Sequence, residues 1–130
     1  MVFPPKKAPD KVPTTKQAGD AAEEQALRHL ERAGLRLLER NYRTPGRGGG
    51  EVDLIMTATD GTLVFVEVRQ RANARHGGAA ASVSTQKQRR IIFAARHYLL
   101  RWRAQPPCRF DVVALEPDGV LWLKAAFDTG

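Results

Sequence analysis

Glu51-Val52-Asp53-Leu54-Ile55-Met56 and Leu63-Val64-Phe65-Val66-Glu67-Val68-Arg69 are two β-branched and aliphatic runs separated by Thr59-Asp60-Gly61, the pattern of a β-hairpin. Side chains alternate along a strand, so Glu51, Asp53 and Ile55 share one face of their strand, as do Leu63, Phe65, Glu67 and Arg69 of theirs. A two-residue Asp60-Gly61 turn would set Asp53 opposite Val68 and mix charged with aliphatic rows. A three-residue turn puts Gly61 where φ > 0 is wanted and sets Asp53 opposite Glu67. This second register is expected, because Val52, Leu54 and Met56 then share a face with Val64, Val66 and Val68. Its consequence is electrostatic. Two carboxylates with Cα atoms roughly 4.5–5.5 Å apart repel unless a positive group intervenes. A divalent cation such as Mg²⁺ would do this, and so would Arg69 in an Asp53–Arg69–Glu67 ladder.

N-terminal to the hairpin, Ala22, Ala26, Leu27, Leu30 and Ala33 recur at helical spacing from about Ala18, and Gly34 is placed to stop the helix. Glu23 falls in the middle of that apolar arc, where a carboxylate needs a cation or a buried arginine; Glu24 points away. Leu35–Leu38 begins a strand or extended piece. Arg43-Thr44-Pro45-Gly46-Arg47-Gly48-Gly49-Gly50 and the stretch from Arg71 to Gly78 are two glycine-containing basic loops. A long helix is expected from about Thr85 to Arg103, ahead of Pro106-Pro107. Its core face is Ile91, Ile92, Ala95, Tyr98, Leu99 and Trp102. Phe110–Leu115 and Val120–Lys124 form a second hairpin around Pro117-Asp118-Gly119. Residues 1–16, with four prolines among lysines, are expected to be a disordered leader, and residues 17–130 a single domain. Helix, strands, helix, strands is an α/β order, with helices packed on one sheet.

The 130 residues carry a net charge of +7, the footprint of a phosphate-rich partner. From Val68 to Phe110 there is no acidic residue, while Arg69, Arg71, Arg75, Lys87, Arg89, Arg90, Arg96, Arg101, Arg103 and Arg109 all fall there. A merely basic surface is the alternative. Lys87, near the start of the second helix and on the same edge as Arg90, either reaches a phosphate over the hairpin or is solvated. No apolar run is long enough for a membrane span, and the start lacks a secretion signal, so a cytoplasmic, nucleoid-associated address is expected. One cysteine, Cys108, excludes an internal disulfide and a cysteine-built zinc site. His29, His76 and His97 show no ligand spacing, and Trp102 and Trp122 are assigned to the core.

Gly19-x-x-x-Glu23, Glu31-Arg32-Ala33-Gly34, Leu38-Glu39-Arg40-Asn41-Tyr42-Arg43, Gly49-Gly50-Glu51-Val52-Asp53-Leu54-Ile55, Leu63–Arg69, Lys87-Gln88-Arg89-Arg90 and Arg109-Phe110-Asp111-Val112-Val113 occur in this order. Together they resemble the YraN-like family of small bacterial proteins, of the restriction-endonuclease-like PD-(D/E)XK superfamily. The resemblance implies a central mixed β-sheet flanked by α-helices. It implies that Asp53 and Glu67 hold Mg²⁺ (or Mn²⁺) with the carbonyl of Val68 and with Glu23 approaching from the first helix. Lys87 would lie on the helix after the hairpin. The superfamily pattern ends in lysine where this chain has Arg69, and arginine cannot act as a general base, although it can stabilise phosphate charge.

The expected function is metal-dependent phosphodiester hydrolysis of DNA, on branched or processed substrates, with Glu23, Asp53, Glu67, Arg69 and Lys87 in the catalytic set. Arg43, Arg47, Arg71, Arg75 and Arg90 would track the nucleic-acid backbone. The alternative is a catalytically silent nucleic-acid-binding module of a DNA-processing complex, with a homodimer or a partner protein as open arrangements.

Overall fold

The computed structural model describes residues 12, 14–72 and 78–129. Most of the expected leader, together with His76 and Arg75, lies outside them.

The first helix, α1 (Thr15–Arg32), starts three residues earlier than the apolar periodicity indicates, and so takes Thr15 and Lys16 from the expected leader. A capping box is the reason. Thr14 Oγ1 accepts the Gln17 N–H at 3.1 Å, and Gln17 Oε1 accepts the Thr14 N–H at 2.9 Å. Thr14→Ala is expected to lower unfolding free energy by about 1 kcal/mol, measurable by urea titration. At the other end Gly34, with φ +97°, closes a Schellman motif. Leu35 N–H donates to Leu30 and Gly34 N–H to Glu31.

Five strands follow in the sheet order β1 (Arg36–Arg43), β2 (Glu51–Thr57), β3 (Leu63–Gln70), β4 (Cys108–Glu116), β5 (Gly119–Phe127). Pairing is antiparallel except between β3 and β4. Parallel strands need a long crossover, and α2 (Thr85–Leu99) supplies it. α2 stops four residues short of the expected Arg103. The N–H groups of Leu100, Arg101 and Trp102 turn to carbonyls three residues back. Arg101 then folds back, its Nε on the Tyr98 carbonyl at 3.1 Å and its guanidinium 3.9 Å from the centre of the Tyr98 ring. That cap ends the helix before the prolines do.

The helices cover opposite faces of the sheet. Ala22, Ala26, Leu27 and Leu30 of α1 pack on Leu54, Met56, Val64, Val66, Val113 and Leu115. Ile91, Ala94, Ala95 and Tyr98 of α2 pack on Val52, Ile55, Leu63, Phe65, Phe110, Val112 and Ala114. β3 is buried on both sides, which is why Leu63–Val66 reads as one unbroken apolar run. The expected class, a mixed sheet flanked by helices, is the one observed. Among the described residues no helix is long and apolar enough to cross a membrane.

Two local irregularities place carboxylates. The three-residue turn of the β2–β3 hairpin is present, with Gly61 at φ +88° and Ala58 N–H donating to Thr62. Pairs run from Thr57↔Leu63 to Leu54↔Val66, the register that points Asp53 towards Glu67, and the ladder stops there. β2 stays paired with β1 as far as Glu51, so β2 and β3 part beyond Leu54. In β4, a bulge between Phe110 and Val112 turns Asp111 inward. Asp111 is fully buried and fully partnered. It accepts from Trp122 Nε1 and the Ala125 N–H, each at 2.9 Å, and from Arg109 Nε at 3.1 Å.

Candidate active site

The fork between β2 and β3 opens a cleft of about 470 Å³ lined by Thr15, Gly19, Ala22, Glu23, Asp53, Glu67, Val68, Arg69, Gln70 and Lys87. All five residues of the expected catalytic set meet there. They come from four elements: Glu23 from α1, Asp53 from β2, Glu67 and Arg69 from β3, and Lys87 from the first turn of α2.

Asp53 is fixed by the backbone. Where the ladder has ended, the Val68 N–H donates to Asp53 Oδ2 at 2.8 Å. Glu67 is the unusual group. Its side chain is 4 % exposed, and its Oε2 is the one buried side-chain oxygen or nitrogen without a hydrogen-bond partner among the described residues. Burial, followed by the hydrogen bond and the negative charge of Asp53, pushes its carboxyl up to about 9, against the opposing pull of Lys87 and Arg69. The contrast with Asp111 is informative, because the same fold satisfies one buried carboxylate completely and leaves the other open to the cleft.

Lys87 Nζ stands 3.6 Å from Glu67 Oε2, beyond a hydrogen bond, and 3.1 Å from Glu51 Oε1. Glu51 also pairs with Arg43 Nε at 3.3 Å. Burial alone would raise the Glu51 carboxyl, but Lys87, Arg43 and Arg90 together hold it below the usual range. Arg69 lines the cleft and forms no ion pair among the described residues.

Glu23 departs from expectation. Among the described residues no three His, Cys, Asp or Glu side chains are grouped to hold a metal, so Glu23 does not complete a triad with Asp53 and Glu67. Arg40 holds it instead, through Nε at 3.4 Å. The same guanidinium binds Glu24 at 2.8 Å and the Asp20 carbonyl at 3.0 Å. Glu24 therefore turns towards Arg40 rather than away. The Glu23 carboxyl is still raised, by burial first and by Asp53 second.

Of the expected nucleic-acid contacts, Arg43 and Arg90 line a second cleft of about 510 Å³ with Thr44, Gly46, Gly48, Gly49, Gly50, Glu51 and Gln86. Arg47 is exposed on the same loop. Arg71 is withdrawn from this role, since its side chain is 10 % exposed and bound to Glu116 at 3.1 Å across the ends of β3 and β4. The metal-ligand assignment apart, two partners at the site escaped the sequence reading. Glu51 lies two residues from Asp53, but the strict alternation expected of β2 fails there, since Val52 packs with Ile55 under α2 and not with Leu54 and Met56. Arg40 escaped because its reach to α1 depends on how β1 pairs with β2.

The model of the Uncharacterised protein family UPF0102 matches residues 22–115. A UPF0102 protein of Albidiferax ferrireducens is 78% identical over 117 residues, covering 90% of this chain and 91% of its own. The chain belongs to the UPF0102 family. A UPF0102 protein of Paracidovorax citrulli is 68% identical, covering 90% of this chain and 87% of its own. The YraN-like resemblance is thereby borne out. Among solved structures, a repair endonuclease from Pyrococcus abyssi aligns with 86% of the UPF0102 chain but only 42% of its own, at a TM-score of 0.40 and 19% identity. Likeness at that level bears on neither substrate nor chemistry.

Proposed function

We propose that this chain is a divalent-metal-dependent phosphodiesterase acting on DNA, with Asp53 and Glu67 as the metal-holding pair. The observation that carries this reading is Glu67 Oε2: a buried carboxylate oxygen without a hydrogen-bond partner, beside Asp53 in the lining of an open cleft, with Lys87 Nζ 3.6 Å away. Buried oxygens without partners are costly, and a hard cation bound by oxygen ligands would satisfy this one. The Val68 carbonyl is the third candidate ligand. When bound, Mg²⁺ or Mn²⁺ supplies Lewis-acid stabilisation of the phosphate's charge.

The chain's own residues divide the remaining work. The Val68 N–H fixes Asp53 through Oδ2, so the orientation of this carboxylate is set by the backbone. Arg69, permanently charged, neutralises phosphate oxygens at the cleft wall but cannot take a proton from water. Lys87 projects into the same cleft and provides a second cation for the phosphate. Arg43, Arg47 and Arg90 extend the positive surface along the neighbouring loop, giving salt-sensitive binding with little sequence preference.

The test is cleavage of duplex, single-stranded and branched DNA with Mg²⁺ or Mn²⁺, beside Asp53→Ala and Glu67→Ala. Each variant is expected to lose at least about 10³-fold in rate while DNA affinity persists. Metal-independent binding without cleavage under any condition would establish the silent binding module instead. Arg69→Lys, which restores a titratable amine, is expected to raise the rate.

A further inference from the structure

We infer that Glu51 is a positioning residue, whose hydrogen-bonded salt bridge to Lys87 holds that ammonium just beyond hydrogen-bond distance of Glu67 and so leaves the Asp53–Glu67 pair open to a divalent cation. The inference rests on the metal-holding role given to that pair, and it concerns a residue outside it.

The geometry sets up a competition. Lys87 Nζ lies between two carboxylates, 3.1 Å from Glu51 Oε1 and 3.6 Å from Glu67 Oε2. Only the first is a hydrogen bond. Glu67 Oε2 has an unmet need for a donor, and a modest rotation of a four-carbon side chain would bring Nζ onto it. An ammonium seated there would neutralise the pair as a metal does, and would exclude the metal. What opposes this is Glu51. It lines the Arg43–Arg90 cleft, with a side chain 29 % exposed and one oxygen for each neighbour: Oε1 for Lys87 and Oε2 for Arg43.

The lysine is otherwise well placed to be captured. Its backbone is anchored at the head of α2, where Ser84 Oγ accepts the Lys87 N–H at 3.1 Å. The side chain therefore pivots from a fixed point and exchanges partners without movement of the helix. Arg43 Nε, on a largely exposed side chain, lies 3.3 Å from the other Glu51 oxygen and gives the carboxylate a second cation on its far side.

The experiment is calorimetric Mn²⁺ titration of the full chain in four forms: wild type, Glu51→Gln, Lys87→Met and the double variant. Glu51→Gln is expected to weaken Mn²⁺ binding about tenfold. Lys87→Met is expected to tighten it, and the double variant to match Lys87→Met, because Glu51 acts through the lysine. An equal loss from Glu51→Gln in both backgrounds would mean that Glu51 attracts the cation directly, and would overturn the inference. Should Glu51→Gln fail to fold, Glu51→Asp in the same two backgrounds makes the same comparison. A metal-free crystal structure of the Glu51 variant gives a second readout. Lys87 Nζ within hydrogen-bond distance of Glu67 supports the inference; an unmoved Nζ overturns it. If wild type binds no Mn²⁺, the metal-holding reading of Asp53 and Glu67 falls, and the position of Lys87 in that crystal alone decides the role of Glu51.

Discussion

Glu67→Gln is expected to give a protein that is inactive and, at pH 8 without metal, more stable than wild type by about 3 kcal/mol, or roughly 10 °C in Tm. The sign follows from protonation. Glu67 titrates near 9 in the folded chain, pushed there by burial and by Asp53, against 4.5 without those influences. Between those values the folded state holds a proton that the unfolded state has released. Stability is therefore fully present below about pH 4.5, declines as pH rises through the window, and levels off above about 9. Glutamine has no proton to lose, and its amide N–H₂ still donates to Asp53 as the protonated carboxyl does. Its stability–pH curve should lack this slope. The same logic makes metal binding by wild type stronger at higher pH, since Glu67 must shed its proton to become a ligand. Chemical denaturation from pH 4 to 9, with and without Mn²⁺, measures both effects. A wild-type curve parallel to that of Glu67→Gln across this range would sink the assignment of Glu67 as a strained, ligand-seeking carboxylate. A gain in stability joined to a loss of activity is what a functional site maintained against the fold predicts.

How much of this was legible beforehand varies by residue. Asp53 and Glu67 were legible because strand parity and one turn glycine, Gly61, fix a hairpin register locally. Lys87 was located by position on a helix wheel, but its partners were not, since they come from β2 and β3. Glu23 shows the limit. Its place on an apolar arc signalled a need for a cation, and the alternatives of metal or arginine could not be separated without knowing that β1 brings Arg40 across α1. Arg71 misled for the same reason: a basic residue at the start of a glycine-containing loop reads as exposed, yet β4 delivers Glu116 beside it. Local rules reached element identity and register, and the helix bounds were moved by local caps at Thr14 and Arg101, while the corrections to Glu23 and Arg71 both involved a partner from a distant strand.

The glycine-rich loop before β2 gives the sharpest case, and Gly50→Ala carries the other large expected effect. As sequence, Gly48-Gly49-Gly50 indicates flexibility. In the structure, a Cβ on Gly50 would lie 1.9 Å from the Arg90 carbonyl oxygen and 3.0 Å from the Ala94 nitrogen. Both are backbone atoms of α2, so no side-chain rotation relieves the clash. Gly50 is not among the glycines with positive φ, which makes the requirement one of close approach rather than conformation. The loop is pinned there: Gly50 N–H donates to Thr44 Oγ1 at 2.8 Å, and Thr44 N–H to the Gly50 carbonyl at 3.0 Å. An added methyl must push the loop off α2, break that neck, and displace Glu51 together with its hold on Lys87 and Arg43. Gly50→Ala is expected to cost about 3 kcal/mol or more, the upper range for overpacking against immovable atoms. It should also slow cleavage at temperatures where the chain remains folded. Gly48→Ala is the matched control. Gly48 has φ +68° and open space around its Cβ position, so only strain of about 1 kcal/mol is expected, with the site undisturbed. Thermal unfolding and cleavage rates of the two variants side by side distinguish a docked loop from a loose one. Equal, small losses would mean that the glycines serve flexibility alone, and that contact between Gly50 and α2 does not set the position of Glu51.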